Sequence, residues 1–181
     1  MITKSRATIE DLYKEKGKAE LVNGELVKMC PTGGIPSRGA SKIFVSLSRH
    51  EEEHGGGYAF NDNAGFLVNL PNRQSFSPDA AWYVGNVQTM KFLNGAPVFA
   101  VEVRSEGDYS PQAERGIADK IRDYFAAGTL VVWDVDLQGT DVITKYTAAN
   151  PDNPEIFRRG DTANAEPAVP GWTLPVDTLF R

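Results

Sequence analysis

The segment Pro97-Val-Phe-Ala-Val-Glu-Val103 decides the fold, because it is apolar on both faces, as a strand buried between two layers should be. A helical pattern over residues 111–127 follows and ends at Gly128, and a second apolar strand covers residues 130–135. The helix carries its apolar residues on one side, at Ile117, Ile121, Tyr124 and Phe125. This strand, helix, strand order predicts a parallel crossover unit.

The N-terminal part of the chain predicts a β-hairpin. The pair Asn23-Gly24 stands between two segments with alternating apolar residues, 19–22 and 25–29. An Asn-Gly pair in this position favours a two-residue hairpin turn. A hairpin and a parallel crossover in one chain predict the mixed α/β class, with helices flanking the central sheet.

The remaining elements follow from local patterns. A first helix over residues 9–17 begins after the N-cap Thr8, and a second covers residues 40–54 after a loop over residues 31–39. We expect the apolar residues that follow Pro170 to fold back onto the body of the protein. Further strands are predicted at residues 58–61, 65–70, 79–83 and 140–146.

Composition limits the classes of function. The chain has 181 residues, of which 41% are hydrophobic and 24% charged, which predicts one compact domain over residues 1–181. The only cysteine, Cys30, excludes internal disulfides and a cysteine zinc cluster. The charged N-terminus lacks an apolar signal core, and no apolar stretch reaches the roughly 20 residues of a membrane span. These features predict a cytoplasmic protein.

The net charge argues against broad electrostatic binding of nucleic acid. The chain carries a formal charge of -5, whereas non-specific DNA affinity comes mainly from lysine and arginine contacts to phosphate. An acidic protein can still act on nucleic acid when its carboxylates surround a cation, because the bound metal then supplies the local positive charge.

Three residues are candidates for the chemistry. Asp79 opens one predicted strand, and Glu102 lies near the end of the most buried strand. If these strands are neighbours, the two carboxylates can converge on a hard divalent cation. Lys120 lies on the crossover helix, where its ammonium could hold a scissile phosphate or orient an attacking water. By spacing alone, two solvated strand-end acids and a surface lysine explain the same pattern.

The chain also resembles a known family. The motifs that carry the resemblance are Glu20-Leu-Val-Asn-Gly-Glu-Leu-Val27, Ser77-Pro-Asp79, Val101-Glu-Val-Arg-Ser105, and Lys120 followed by Tyr124, Gly128, Trp133 and Asp136. In their order and spacing they resemble the Uma-two family of restriction endonucleases, within the PD-(D/E)XK nuclease superfamily. The resemblance runs from about Ile9 to Phe180 and implies a restriction-endonuclease-like αβββαβ core with an N-terminal helix and hairpin.

The resemblance also implies roles for individual residues. Asp79 and Glu102 would be metal ligands, aided by the carbonyl of Val103, and Glu20 would lie beside the metal. Lys120 would be the catalytic lysine, moved onto the helix, since the position two residues after the second acid holds an arginine. That residue, Arg104, is a candidate for contact with the substrate phosphate. Arg38, which stands where relatives often have histidine, is a second candidate for substrate binding.

The function implied is a metal-dependent endonuclease that hydrolyses DNA phosphodiester bonds. Its cofactor would be Mg²⁺, with Mn²⁺ as a substitute, and a homodimer would place two active centres on the two strands of a duplex. Two alternatives stay open. One is a non-catalytic binding or scaffold module that keeps the nuclease fold, and the other is a nuclease for RNA or branched DNA.

Overall fold

The computed structural model describes residues 6–181. The first five residues, which belong to the charged segment where we predicted no apolar signal core, lie outside the described residues. The helices are α1 (Ile9–Lys14), α2 (Gly34–His54), α3 (Pro111–Ala126) and a 3₁₀ helix at Val176–Phe180. The strands are β1 (Ala19–Val22), β2 (Glu25–Lys28), β3 (Tyr58–Asn61), β4 (Phe66–Leu67), β5 (Ser75–Phe76), β6 (Ala80–Tyr83), β7 (Leu93–Asn94), β8 (Phe99–Val103), β9 (Val131–Val135), β10 (Ile143–Thr147), β11 (Glu155–Phe157), β12 (Thr162–Asn164) and β13 (Thr173–Pro175).

A six-stranded mixed sheet forms the centre of the protein, in the order β11-β10-β9-β8-β6-β3. Strands β8 and β9 are parallel and are connected by α3, so the predicted crossover unit is confirmed. The other neighbours in this sheet pair antiparallel. The predicted mixed α/β class, with helices flanking a central sheet, is therefore confirmed.

The two faces of the sheet bury separate cores. Alternate residues of β8 point to opposite sides, so Val101 packs in the core under α2 while Ala100 packs in the core under α3. Tyr124 brings α3 onto the second core, and Leu47 brings α2 onto the first. Burial on both faces explains why this strand is apolar throughout.

The hairpin forms as its sequence predicts, whereas the first helix begins as predicted but ends at Lys14 and does not extend to residue 17. Asn23 and Gly24 both have positive φ, at 52° and 75°, between the antiparallel strands β1 and β2. Positive φ at both central positions is typical of a type I′ turn, which suits Asn-Gly. At the start of α1, the Thr8 side chain accepts from the Asp11 N–H, while the Asp11 side chain accepts from the Thr8 N–H.

The second helix begins earlier than predicted. Residues 34–39 belong to α2, although their Gly, Pro and Ser content indicated a loop. Pro36 falls in the first turn, where a missing N–H costs the helix no hydrogen bond. Gly39 and Ala40 are buried, so packing against the sheet stabilises a segment with poor helix propensity.

Two smaller corrections concern strands. The predicted strand over residues 65–70 is shorter in the structure, where only β4 forms, in a separate three-stranded sheet. Strand β6 begins one residue after Asp79.

The C-terminal segment does fold back, because Trp172 and Leu174 are buried in the core under α2. In the described part of the chain, no helix combines the length and apolar character needed to span a membrane.

Candidate active site

A cleft of about 960 Å³ lies where α3 crosses the ends of the central strands. Its walls include the end of β8, the N-terminal half of α3 and the segment that leads into α2. Three predicted site residues, Asp79, Glu102 and Lys120, line this cleft together with Val103 and Arg104. The crossover topology thus brings residues that are distant in sequence into one depression.

Asp79 is fixed by the backbone of the neighbouring strand. Its own N–H donates to the Val101 carbonyl at 2.9 Å, and the Val103 N–H donates to its Oδ2 at 2.8 Å. The other carboxylate oxygen, Oδ1, accepts from Lys18 Nζ at 2.8 Å. The carboxylate therefore has one oxygen held by the sheet and one paired with a cation.

Glu102 faces α3 from strand β8. Its Oε1 accepts from the Tyr124 hydroxyl at 2.6 Å and lies 2.9 Å from Lys120 Nζ. Burial raises the pKa of Glu102, and the nearby charge of Asp79 raises it further, although the Lys120 ammonium opposes both effects. The second oxygen, Oε2, accepts no hydrogen bond from residues 6–181.

Lys120 connects the two acids that face it. Its Nζ lies 2.9 Å from Glu102 Oε1 and 2.9 Å from Glu20 Oε1. Burial opposes ionisation of the ammonium, but the charges of Glu102 and Glu20 outweigh burial and raise the pKa of Lys120 above its usual value. The residue therefore stays protonated and acts as a positive hydrogen-bond donor.

Glu20 sits behind this lysine, with both carboxylate oxygens engaged. Oε1 also accepts from the Ser77 N–H at 2.9 Å, and Oε2 pairs with the Arg73 guanidinium. Burial opposes ionisation, but Lys120 and Arg73 outweigh it and hold the pKa of Glu20 below its usual value. In this geometry Glu20 orients Lys120.

Sequence reasoning missed Arg73 and Lys18. Arg73 is buried in the turn before β5, where it pairs with Glu20 and with Asp123 of α3 at 2.8 Å. Lys18 immediately precedes β1 and pairs with Asp79 and Asp62. Lys18 stands two residues before Glu20, and alternate residues of an extended segment share one face, so this spacing could have placed Lys18 on the side of Glu20 without indicating its partners.

The two arginines assigned to substrate binding differ in position. Arg104 lines the cleft, where its guanidinium donates to both Asp134 oxygens, at 2.9 and 2.7 Å, and also pairs with Glu114. Arg38 is exposed on α2 and donates to the Arg181 carbonyl at 3.0 Å. The structure thus brings Arg104 to the acids and leaves Arg38 outside the cleft lining.

The donor set suits a hard divalent cation. Within residues 6–181, no three His, Cys, Asp or Glu side chains form a metal-binding group. Asp79, Glu102 and Val103 nevertheless line the same cleft, so two carboxylates are available to a cation there. Mg²⁺ is commonly held by one or two carboxylates with water completing its shell, so these oxygens fit Mg²⁺ better than zinc.

A mixed sheet here brings two strand-end acids and a helix-borne lysine into one cleft, which is the arrangement that the resemblance to PD-(D/E)XK nucleases implies. The family model described as "Putative restriction endonuclease" matches residues 6–177, and the chain belongs to this family, Uma2. No curated protein matches the chain in sequence.

A solved structure supports the fold. It is the crystal structure of a protein described as a "putative nuclease belonging to DUF820" from Anabaena variabilis ATCC 29413. The two proteins superpose with a TM-score of 0.75 at 17% sequence identity, over 96% of this chain and 97% of the other. At this identity the comparison establishes a shared fold.

Replacing Tyr124 with phenylalanine is expected to raise the pKa of Glu102 further. The hydroxyl donates to Glu102 Oε1 and favours the ionised carboxylate, while the ring stacks on Phe76 at 3.9 Å and would remain. A carboxyl ¹³C NMR titration of the metal-free protein measures this pKa. The matched control is Tyr83→Phe, which loses a hydroxyl bonded to the Asn94 carbonyl. An unchanged Glu102 midpoint in Tyr124→Phe would contradict this assignment.

Proposed function

We propose that this chain, acting as a single nuclease domain, is a Mg²⁺-dependent endonuclease that hydrolyses DNA phosphodiester bonds. One observation carries the proposal: Asp79, Glu102 and Lys120 line one cleft, with Lys120 Nζ 2.9 Å from Glu102 Oε1. Membership of the Uma2 family supports the nuclease class. DNA as substrate and Mg²⁺ as cofactor are part of the proposal.

The roles follow from the contacts. Asp79, Glu102 and the carbonyl of Val103 would hold the cation, which when bound supplies charge neutralisation at the phosphate and activation of water. The Val103 N–H fixes Asp79, at 2.8 Å from its Oδ2, so that this carboxylate is oriented before any ligand arrives. Glu102 is needed in its ionised form, which its Tyr124 hydrogen bond favours.

Lys120 acts as a donor to the substrate. Because neighbouring acids raise its pKa, Lys120 remains an ammonium at neutral pH and is unsuited to the role of general base. An ammonium at this position can hold a non-bridging phosphate oxygen or orient the attacking water. Glu20 positions Lys120 through the 2.9 Å contact with Oε1.

Arg104 is the further candidate for phosphate contact. Asp134 and Glu114 share its charge, so its net attraction for phosphate is smaller than that of a free arginine. The overall charge of -5 likewise reduces the attraction of the whole protein for the phosphates of nucleic acid. We therefore expect nucleic-acid binding to depend on the divalent cation more than on a basic surface.

A plasmid cleavage assay tests the proposal. Purified protein with supercoiled plasmid and Mg²⁺ or Mn²⁺ should produce nicked circles, and EDTA should stop the reaction. A homodimer, which we include in the proposal, should also yield linear product, since two centres related by a two-fold axis reach both strands. Activity that persists in both Asp79→Ala and Lys120→Ala would reject the site.

The second candidate is a non-catalytic binding or scaffold module with the same fold. The acidic net charge favours this candidate, as do the internal ion pairs of Lys120 and Arg104. Calorimetric titration with Mn²⁺ separates the two functions. A folded protein that binds no Mn²⁺ supports the scaffold, whereas binding that depends on Asp79 supports the nuclease.

The class of nucleic acid that is cleaved has to be determined in a separate set of cleavage assays. Duplex DNA, branched DNA and RNA all present the phosphodiester that the cleft would receive, and no recognition helix or zinc finger selects among them in the described residues. The same preparation should therefore be assayed on all three. Preference for RNA or branched DNA would correct the substrate and leave the roles of Asp79 and Glu102 in place.

A further inference from the structure

The ammonium of Lys18 already contacts the carboxylate of Asp79. Oδ2 of this carboxylate accepts from the Val103 N–H at 2.8 Å, whereas Oδ1 accepts from a flexible side chain, that of Lys18. Oδ1 lies 2.8 Å from Lys18 Nζ. A divalent ion that binds Asp79 through Oδ1 must therefore share this oxygen with an ammonium or displace it.

Lys18 has a second acidic partner at the edge of the cleft. Its Nζ also pairs with Oδ1 of Asp62, in the turn after β3. The Lys18 and Asp79 side chains are 15% and 14% exposed, whereas Asp62 is 46% exposed. The ammonium thus bridges an inner and an outer carboxylate, and a small rotation of its flexible stem can favour either one.

The two ion pairs of Lys18 determine where its ammonium can move. A monovalent ammonium and a divalent ion on one carboxylate oxygen repel each other. Asp62 Oδ1 is already paired with the same Nζ, so the ammonium has a second acceptor within its present reach. Movement toward Asp62 therefore relieves the repulsion and keeps the ammonium paired.

We propose that Lys18 competes with the divalent cation for Asp79, and that Asp62 receives the ammonium when the cation binds. The pair Lys18–Asp62 would then set the metal affinity of the site, with Lys18 as a positioning residue outside the catalytic group. This inference rests on the proposed metal-dependent function. It adds a regulator of that site which is distinct from the metal ligands themselves.

The test is calorimetric titration of the full chain with Mn²⁺ in wild type and Lys18→Met. Removal of the competing ammonium should tighten Mn²⁺ binding about tenfold, since one buried ion pair no longer has to be broken. Lys28→Met is the matched control, because Lys28 is 70% exposed and pairs with Glu15 outside the cleft lining. Its affinity should equal that of wild type. Repetition at about 0.5 M salt separates direct competition, which persists, from long-range charge effects, which are screened.

Asp62→Asn supplies an independent arm of the test. Asparagine keeps the oxygen that accepts from the Asn63 N–H at 2.8 Å, but it no longer attracts the ammonium. Mn²⁺ binding should weaken severalfold in Asp62→Asn, while the same change in the Lys18→Met background should have little effect. This coupling shows that Asp62 acts through Lys18, whereas a simple loss of negative charge would lower the affinity equally in both backgrounds.

Each result of the Mn²⁺ titrations either supports or overturns the competition between Lys18 and the cation. Tighter binding in Lys18→Met, together with the Asp62 coupling, supports the inference. Equal binding by wild type and Lys18→Met overturns the inference and leaves the proposed function intact. Absence of Mn²⁺ binding in both proteins overturns the inference and the metal-dependent function together.

Discussion

Asp79→Asn is expected to lower Mg²⁺-dependent plasmid nicking by roughly a hundredfold to a thousandfold, a loss typical of removing one charge-stabilising group from an active site. Asparagine has nearly the same shape and keeps an oxygen for the Val103 N–H, which donates to Oδ2 at 2.8 Å. It lacks the negative charge that a hard cation requires. Because Lys18 retains Asp62 as a partner, the substitution should cost little stability. Initial nicking rates and a thermal melt measure the two effects.

The matched control for this variant is Asp119→Asn. Asp119 lies on α3 beside Lys120, but its side chain is 64% exposed and pairs with Arg122 on the same helix. We expect nicking by this control within about twofold of wild type, because an exposed ion pair contributes little. Equal rates for Asp79→Asn and Asp119→Asn, in folded proteins, would show that the strand-end acid has no role in catalysis.

Arg73→Met should cause the largest loss of stability among the polar substitutions considered. Arg73 is 6% exposed and pairs with Glu20, which is 3% exposed, and with Asp123 on α3. Methionine fills much of the same volume but leaves Glu20 with one fewer cation in a buried site. Breaking such a pair typically costs about 3–5 kcal/mol. Urea unfolding followed by circular dichroism measures the change in the free energy of unfolding.

Arg158→Met provides the contrast. The Arg158 side chain is 58% exposed and pairs with Asp141, which is 45% exposed. Solvent screens this pair, so its loss should change the free energy of unfolding by less than about 1 kcal/mol. If the two arginine variants unfold at the same urea concentration, the buried Glu20–Arg73–Asp123 ion pairs do not stabilise the fold.

Local sequence patterns predicted the framework well. The Asn23-Gly24 turn depends on two neighbouring residues, and the apolar strand Phe99–Val103 depends on a short run of side chains. Burial of that strand on both faces is visible in its composition, as is the apolar stripe of α3. The sequence therefore predicted both the mixed class and the edge of the sheet where Asp79, Glu102 and Lys120 meet.

The supporting ion pairs were not predictable in the same way. Arg73 and Glu20 are separated by 53 residues, and Lys18 and Asp79 by 61. Such contacts depend on how the turn before β5 folds against β1, so no local spacing indicates them. The family resemblance placed Glu20 beside the metal, and its contacts to Lys120, Ser77 and Arg73, which engage both of its oxygens, are visible only in the structure.

At the start of α2 the local sequence pattern was misleading, because tertiary packing overrides it. Residues 34–39 have weak helix propensity, and tertiary burial of Gly39 decides their conformation. The earlier start also turns Arg38 into a surface residue of α2, with its guanidinium bonded to the Arg181 carbonyl. Arg38, which stands where relatives often have histidine, therefore lies outside the lining of the cleft that contains Asp79 and Glu102.

The most direct measurement is anomalous X-ray diffraction from crystals of this protein soaked with Mn²⁺. We expect one anomalous peak in the cleft, about 2 Å from a carboxylate oxygen of Asp79 and from one of Glu102, within reach of the Lys120 ammonium. A peak bound elsewhere on the protein, with Asp79 still paired to Lys18 and Glu102 still paired to Lys120, would contradict the assignment of a metal-dependent nuclease centre.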